Sequence, residues 1–410
     1  MLIKIFTAYK ASFSGLSKEV WWLALVTFIN RAGTMVFPFL SLYLTDSKGF
    51  TLNSVGWIMT SFGLGSIIGS YLGGKLTDKI GYYKVIHLSL IMAGIIFFNI
   101  QFIDDFWSFC IGMFLVTLFA DMFRPAMYVA LNTYSKPENK TRSVTLIRLA
   151  INLGFSFGPA VGGLIIATVN YAALFWIDSL TCLFASIFLF FVLKEKTVAK
   201  SSNNSIIIDH PIKSPYKDKP YMLFLLIVFL SAFMFIQLFS TLPLYFKNIH
   251  SLTESEIGWL MGANGFIIFL FEMPLISYLE KKSWSKIQIL NVGNFLISLS
   301  FLVLNFSPWV GILLVSTILI TFGEMLAFPF ANSFTMDRAK GGKQGAYIAL
   351  FPISFSVAHI LAPNISMQVI DVFGYASTWY LMTIIGGIGV ILGYWLINIL
   401  KKESLKQIKS

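Results

Sequence analysis

The stretch Gly74-Lys75-Leu76-Thr77-Asp78-Lys79-Ile80-Gly81-Tyr82-Tyr83-Lys84 lies between two long apolar runs. Its glycines allow sharp turns and close backbone approach. Asp78 stands where an apolar run ends, a position from which a carboxylate can accept N–H bonds from the start of another helix. Lys75, Lys79 and Lys84 mark the side of a membrane that such a segment faces. The stretch reads as a tight, charged, cytoplasmic hinge between two membrane helices.

Composition agrees with that reading. Of 410 residues, 57% are hydrophobic and only 12% charged, where a soluble domain carries about 25% charge. Such a chain needs lipid as its solvent. Twelve apolar runs follow one another: 20–44, 54–76, 85–103, 106–131, 144–168, 172–193, 221–246, 255–279, 287–304, 309–334, 345–368 and 375–400. Most are long enough to cross about 30 Å of hydrocarbon. With both termini cytoplasmic, 25 of the 30 Lys and Arg residues fall on the cytoplasmic side, against Lys48 and Lys247 outside and three arginines within helices. That asymmetry is the one that sorts membrane loops, and a wrong helix count would scramble it. The net charge of +11 is spread over every cytoplasmic loop, which excludes a nucleic-acid face.

The residues at 1–18 lack the layout of a signal peptide. Leu2, Phe6, Tyr9, Phe13 and Leu16 recur every three or four positions, as in a short helix lying on the membrane surface. The long polar stretch 194–219, rich in Ser, Asn, Lys and Pro, reads as a cytoplasmic linker between 1–193 and 220–400, with 401–410 a cytoplasmic tail. Cys110 and Cys182 sit inside apolar runs, so neither a disulfide framework nor a metal cluster is expected. Trp21, Trp22, Trp107, Trp309 and Trp379 stand at run ends, as interfacial anchors do.

The two halves echo each other. Gly56-Trp57-Ile58-Met59 with Gly63 recurs as Gly258-Trp259-Leu260-Met261 with Gly265, an offset of 202. Leu40-Ser41-Leu42-Tyr43 recurs as Leu242-Pro243-Leu244-Tyr245 at the same offset. Pro125, Pro159 and Tyr171 match Pro329, Pro363 and Tyr375 at 204. The opening stretch has a worn copy in which Asp78, Lys79 and Lys84 align with Glu280, Lys281 and Lys286, while Ile276 and Ser283 replace the glycines. This is a duplicated six-helix unit. An even number of helices per unit gives parallel repeats related by an axis along the membrane normal.

Gly74, Leu76, Asp78, Lys79, Gly81 and Lys84 together resemble the G-x-L-x-D-(R/K)-x-G-(R/K)-(R/K) loop between helices 2 and 3 of major facilitator superfamily transporters. Gly154, Gly158, Pro159, Gly162 and Gly163 fit G-x-x-x-G-P-x-x-G-G, which resembles the helix-5 signature of the superfamily's proton-coupled exporters. Residues 137–142 resemble the superfamily's P-x-x-x-R link between helices 4 and 5. The resemblance implies an all-α membrane protein of two pseudo-symmetric six-helix bundles. It also implies that helices 1, 2, 4, 5, 7, 8, 10 and 11 line a central cavity. Asp78 is expected to cap the cytoplasmic start of helix 11.

Charges within membrane helices are costly and point to function. Arg31 and Arg148 have no local acid in the sequence and are candidates to hold an anionic group of a substrate or to pair with acids of the other half. Asp121 and Arg124, three apart, can pair with each other; they are placed towards the cytoplasmic side near the opening stretch, where a latch is favoured over a substrate contact. Glu324 is the first choice for a coupling proton site and Glu272 the second, with a latch to a basic loop as the other reading of Glu272. His359 is a cavity candidate that can relay protons or simply hydrogen-bond. Gly74, Asp78, Lys79, Gly81 and Lys84, with the glycines and Pro159 of helix 5, are gating candidates.

No G-x-x-x-x-G-K-(S/T) loop is present, so no cofactor is expected and an ion gradient, most simply of protons, is the energy source. The expected protein is a monomeric multi-pass secondary transporter of the cytoplasmic membrane, with a small solute, protons and the bilayer as partners. The resemblance favours proton-coupled efflux of drug-like or amphipathic compounds. The arginines of the first half keep open the uptake of an anionic or zwitterionic solute, such as a peptide, with protons. A membrane enzyme would need a convergent catalytic constellation, and the four histidines form none.

Overall fold

The computed structural model describes residues 15–136, 139–196, 214–339 and 344–409. The interfacial segment expected at the N-terminus, most of the linker, Glu138 of the link between helices 4 and 5, and residues 340–343 before helix 11, whose start Asp78 was expected to cap, lie largely or wholly outside them.

All regular structure among the described residues is helical. Helix α1 runs Lys18–Ala32 and resumes as Val36–Leu42; α2 is Leu52–Ile80, α3 Tyr82–Ile100, α4 Phe106–Tyr134, α5 Lys140–Thr168 and α6 Ala172–Val192. Helix α7 is Lys219–Phe235, prolonged by Gln237–Ser240 and Leu242–Asn248; α8 is Glu254–Glu280, α9 Lys286–Val303 and α10 Gly311–Ala339. Gln344–Lys409 is two helices joined at Gly374, whose φ of 79° and ψ of 174° break the helical path; its halves are α11 and α12. Among the described residues, eleven stretches are apolar and long enough to cross a bilayer, and the last of them, Ala346–Glu403, contains both of these helices. The twelve runs of the sequence are thus twelve helices.

Their ends differ from the sequence boundaries in instructive ways. The opening stretch is hardly a loop at all. Helix α2 continues through Gly74, Asp78 and Lys79 to Ile80, and α3 begins at Tyr82. Gly81 alone makes the turn, at φ +88°, a conformation that strains any residue with a Cβ. Its N–H still reaches the carbonyl of Thr77 at 3.1 Å. Helix α5 starts at Lys140 rather than 144, and α12 continues through the expected tail to Lys409. Trp379 is not an anchor: it is wholly buried, packed on Phe301 and Tyr245, whereas Trp107 and Trp309 are exposed as anchors should be.

Grouped by contact, the chain forms two units whose limits cut α1, α2 and α8 part-way along. The first comprises Met1–Phe39, Leu64–Asn204 and Glu254–Phe266. Its main core joins Val20, Leu23, Val26, Tyr82, Ile86, Phe123, Met127, Ile147 and Leu189 from five helices. Ser17 caps α1 by accepting from the N–H of Val20 and donates to the carbonyl of Tyr134 at 2.9 Å. Tyr82 Oη donates to Tyr134 Oη at 2.9 Å, and Tyr134 in turn donates to the carbonyl of Lys194.

The second unit comprises Leu40–Gly63, Ser205–Thr253 and Ile267–Ser410. Its core gathers Tyr221, Phe224, Ile287, Ala331, Tyr347 and Leu396. At the start of α7, Asp218 accepts from the N–H of Tyr221 and grips Arg338 at the end of α10 through two bonds of 2.8 Å. Arg338 also donates to both carboxylate oxygens of Glu403 on α12, and Tyr347 of α11 donates to Asp218 at 2.7 Å. Arg338 stands 204 residues after Tyr134. The residue that caps the first helix of each half therefore reaches the end of its fourth helix: a hydroxyl on a carbonyl in one half, a carboxylate on a guanidinium in the other.

Burial alone would raise the pKa of Asp218, but the bonds from Arg338 and Tyr347 outweigh it and hold the carboxyl below the ordinary value. A depressed carboxylate contributes stability that is full above its unfolded pKa and lost as the pH falls through the folded one. Asp218→Ala takes two charged bonds from a half-buried guanidinium and leaves it Glu403 alone, which should cost about 1.5–3 kcal/mol, seen as a lower melting temperature in detergent at pH 7. With Asp218→Asn, the difference from the parent should shrink as the pH drops below about 4, and a pH-independent difference would contradict the ion pair.

Candidate functional site

Helix α1 breaks at Gly33-Thr34-Met35, just after Arg31. Broken backbone at membrane depth needs internal partners for its N–H groups. Asp178 of α6 supplies them: one oxygen accepts from the N–H of Met35 at 2.9 Å and the other from Val36 at 3.0 Å. The carboxylate is 1% exposed and acts as a cap borrowed from a neighbouring helix. Beside it, a Cβ at Gly33 would come within 2.1 Å of Thr181 Oγ1, so only glycine lets α1 lie this close to α6.

The break presents Arg31 at the end of a helical segment, where the axial dipole favours a cation. Its guanidinium lies over the ring of Phe155, 5.6 Å from the centroid. Its Nε is buried without a hydrogen-bond partner. Arg124 and Asp121 are the charged groups that act on it, with Tyr128 nearby. Asp121 accepts from Ser66 Oγ of α2 and sits 3.9 Å from Arg124, a loose contact rather than a formed bridge. Arg31, Ser66, Asp121, Arg124 and Phe155 thus bring four helices to one polar cluster. The sequence left Arg31 without an acid and set Asp121 beside the opening stretch. The structure instead places Asp121 against Ser66, about 12 Å along α2 from Gly74. The cluster is a mid-helix feature because α4 extends past its apolar run to Tyr134.

Helix α5 carries two small-residue faces. Gly154, Gly158 and Gly162 lie against Arg31, Ala32 and Met35 of α1, where an added Cβ would meet atoms at 2.5, 3.2 and 3.3 Å. The other face meets α8. Ser156 donates to the carbonyl of Gly262 at 2.8 Å, and a Cβ on Gly163 or Gly258 would strike the backbone of the opposite helix at 2.3 or 2.4 Å. Within the second unit, the matching crossing joins α2 and α11. Gly56 and Gly63 approach Asn364 and His359 with Cβ distances of 3.0 and 3.1 Å, and Thr60 donates to the carbonyl of Ile360 at 3.0 Å. Polar contacts lie near each crossing: Tyr171 with Glu254 at 2.9 Å, Lys247 with Asp46 at 2.6 Å, and Asn248 with Tyr375 at 3.0 Å. The glycines that revealed the repeat in the sequence are the ones that make these crossings.

The other candidates are more scattered. Glu272 on α8 and Glu324 on α10 are each 6% exposed. Arg148 and His359 are half-buried, while Asp78, Lys79 and Lys84 are exposed. Gly74 meets nothing, and the close approach of α2 to α4 is made instead by Gly65, Gly69 and Gly73. Among the described residues no group of histidine, cysteine and acids could hold a metal. Sequence reasoning passed over Asp178, Ser66, Phe155, Glu254 and the Asp46–Lys247 pair. Only the Tyr171–Tyr375 match hinted at that last set.

The sequence model of the Major Facilitator Superfamily matches residues 23–363 and 224–410. The chain belongs to the major facilitator superfamily. It is a multi-pass membrane transporter and not an enzyme. The uncharacterized MFS-type transporter YqjV of Bacillus subtilis is 23% identical, over 90% of this chain and 91% of that protein. The quinolone resistance protein NorA of Staphylococcus aureus is 25% identical over 96% of this chain and 99% of its own. A crystal structure of the peptide transporter POT in complex with sulfate superposes with a TM-score of 0.76 at 17% identity, covering 95% of this chain and 96% of that one. At that identity the last likeness is one of fold.

Asp178→Ala should leave two buried N–H groups unpaired, at about 1–3 kcal/mol each, and lower the melting temperature. Asp178→Asn keeps one acceptor and should cost roughly half as much. Equal melting of the two variants would show that the cap does not hold the α1 break.

Proposed function

We propose that this transporter couples the entry of protons to the export of drug-like or amphipathic compounds by alternating access. The observation that carries the reading is the burial of Glu272 and Glu324, at 6% exposure each, on helices α8 and α10. A buried carboxylate takes up or gives up a proton as its surroundings alternate between wet and dry. Glu324 is assigned the coupling proton, with Glu272 second. The similarity to NorA over almost the whole chain supports export of drug-like compounds.

In this scheme the Arg31–Asp121–Arg124 cluster, with Arg148 and His359, lies along the substrate path. The crossings of α5 with α8 and of α2 with α11 seal the ends opposite the Gly81 turn. Pro159 and Gly163 form the surface on which the α5–α8 seal slides, while Gly154, Gly158 and Gly162 hold α5 against α1 as the gate works. Gly74, Asp78, Lys79, Gly81 and Lys84 form the cytoplasmic latch. The proton gradient is the energy source, without a cofactor. A second reading, proton-driven uptake of an anionic or zwitterionic solute such as a peptide, draws on Arg31, whose Nε lacks a partner.

Proteoliposomes loaded with an amphipathic dye or a dipeptide separate the two. An imposed proton gradient should drive the dye against its own gradient and leave the dipeptide unmoved. Glu324→Gln should abolish uphill movement while keeping downhill exchange. Full uphill transport by Glu324→Gln would overturn the proton assignment, and gradient-driven dipeptide accumulation would decide for the second reading.

A further inference from the structure

Outside the cluster, α3 and α6 leave a groove of about 720 Å³ on the surface of the first unit. That is within the range of small-ligand pockets. It runs from Tyr83 to Ile91 on α3 and from Leu183 to Phe191 on α6, about 12–14 Å of helix, or one leaflet of hydrocarbon. Its walls are apolar and open: Ile91, Ile187 and Phe190 are 41%, 58% and 66% exposed. One end carries Lys84, beside the Gly81 turn. Midway, His87 Nδ1 bonds Ser186 Oγ at 2.8 Å, while its Nε2 is buried with no partner.

The second unit has the same groove at the matching place, between α9 and α12, but smaller, about 380 Å³, and lined by Trp284, Gln288 and Tyr394 rather than by a lysine. The lysine equivalent to Lys84 is Lys286, and it is spent on Asp337 and the carbonyl of Ser333. Lys84 takes part in no ion pair among the described residues, although Glu195 stands on the Gly81 side of the rim. One copy of the duplicated groove therefore keeps a lysine without an ion pair among the described residues above an apolar trough, and the other has a spent lysine and about half the room.

We propose that the α3–α6 groove binds one anionic phospholipid of the cytoplasmic leaflet. Its phosphate sits at Lys84, and an acyl chain lies along Ile91, Ile187 and Phe190. The helices span the membrane, so lipid is the solvent of this face. Net attraction of a cation near the surface for anionic headgroups selects the class of lipid. The α9–α12 groove makes no such selection.

Native mass spectrometry of the full chain in detergent tests this, with phosphatidylglycerol and phosphatidylcholine of identical chains as probes. The parent should retain one phosphatidylglycerol several-fold more than phosphatidylcholine. Ile187→Trp, which fills the trough, and Lys84→Gln should each remove most of that preference, and Val390→Trp in the other groove should leave it intact. Equal retention of the two lipids by the parent overturns the proposal. So does unchanged phosphatidylglycerol retention in either α3–α6 variant, or its loss in Val390→Trp. Should Ile187→Trp not fold, the Lys84→Gln and Val390→Trp pair decides alone.

Discussion

A bilayer offers no water to an open backbone, and that single constraint shapes this chain more than any other. It forces every crossing to be a helix and makes each departure from helicity answerable to a named partner. At the break in α1 the partner is the Asp178 carboxylate, fully used by two backbone N–H groups. Because the break is held from α6, Arg31 can stand at a helix end within the membrane rather than on a continuous cylinder. The polar cluster with Asp121 and Arg124 depends on this borrowed cap. An acid that touches neither cluster member thus sets the geometry of both.

The second organising device is the use of glycine where helices cross. Between α5 and α8, and again between α2 and α11, backbones meet at distances that no side chain would allow. Contacts of this kind carry much dispersion energy and little interlocking of long side chains. They hold helices together and still let them slide or part. The duplicated crossings also explain why the contact-based units cut α2 and α8 part-way along. Each of those helices has one portion packed in one unit and the remainder in the other.

Much of this was legible in the sequence, and for physical reasons. Run length and hydropathy reveal membrane helices because lipid demands them, and the Lys and Arg bias tested their number. The repeat offset picked out Gly56, Gly63, Gly258 and Gly265, which proved to be crossing points. What escaped depended on rotation and tilt, which no local pattern encodes. Trp379 looked like an interfacial anchor and is a core residue. Asp178 was given no role by the sequence and is a cap. Arg31 and Asp121 are 90 residues apart in the chain, and only the packing of α1, α2 and α4 brings them together. Helix ends were misread where charged residues, as at Asp78 and Lys79, simply continue an exposed helical face.

The one-residue turns at Gly81 and Gly374 have a mechanical meaning. A connection with no slack cannot absorb displacement, so α2 with α3, and α11 with α12, must move as stiff hairpins. In each hairpin one helix makes a glycine crossing: α2 and α11 meet each other there. Its partner, α3 or α12, walls a groove open to lipid. Any stroke of the crossing helices therefore drags lipid-facing surface through the bilayer and does work against it. The thickness and lateral stiffness of the membrane then become terms in the energetics of helix movement, set by two glycines remote from the polar cluster.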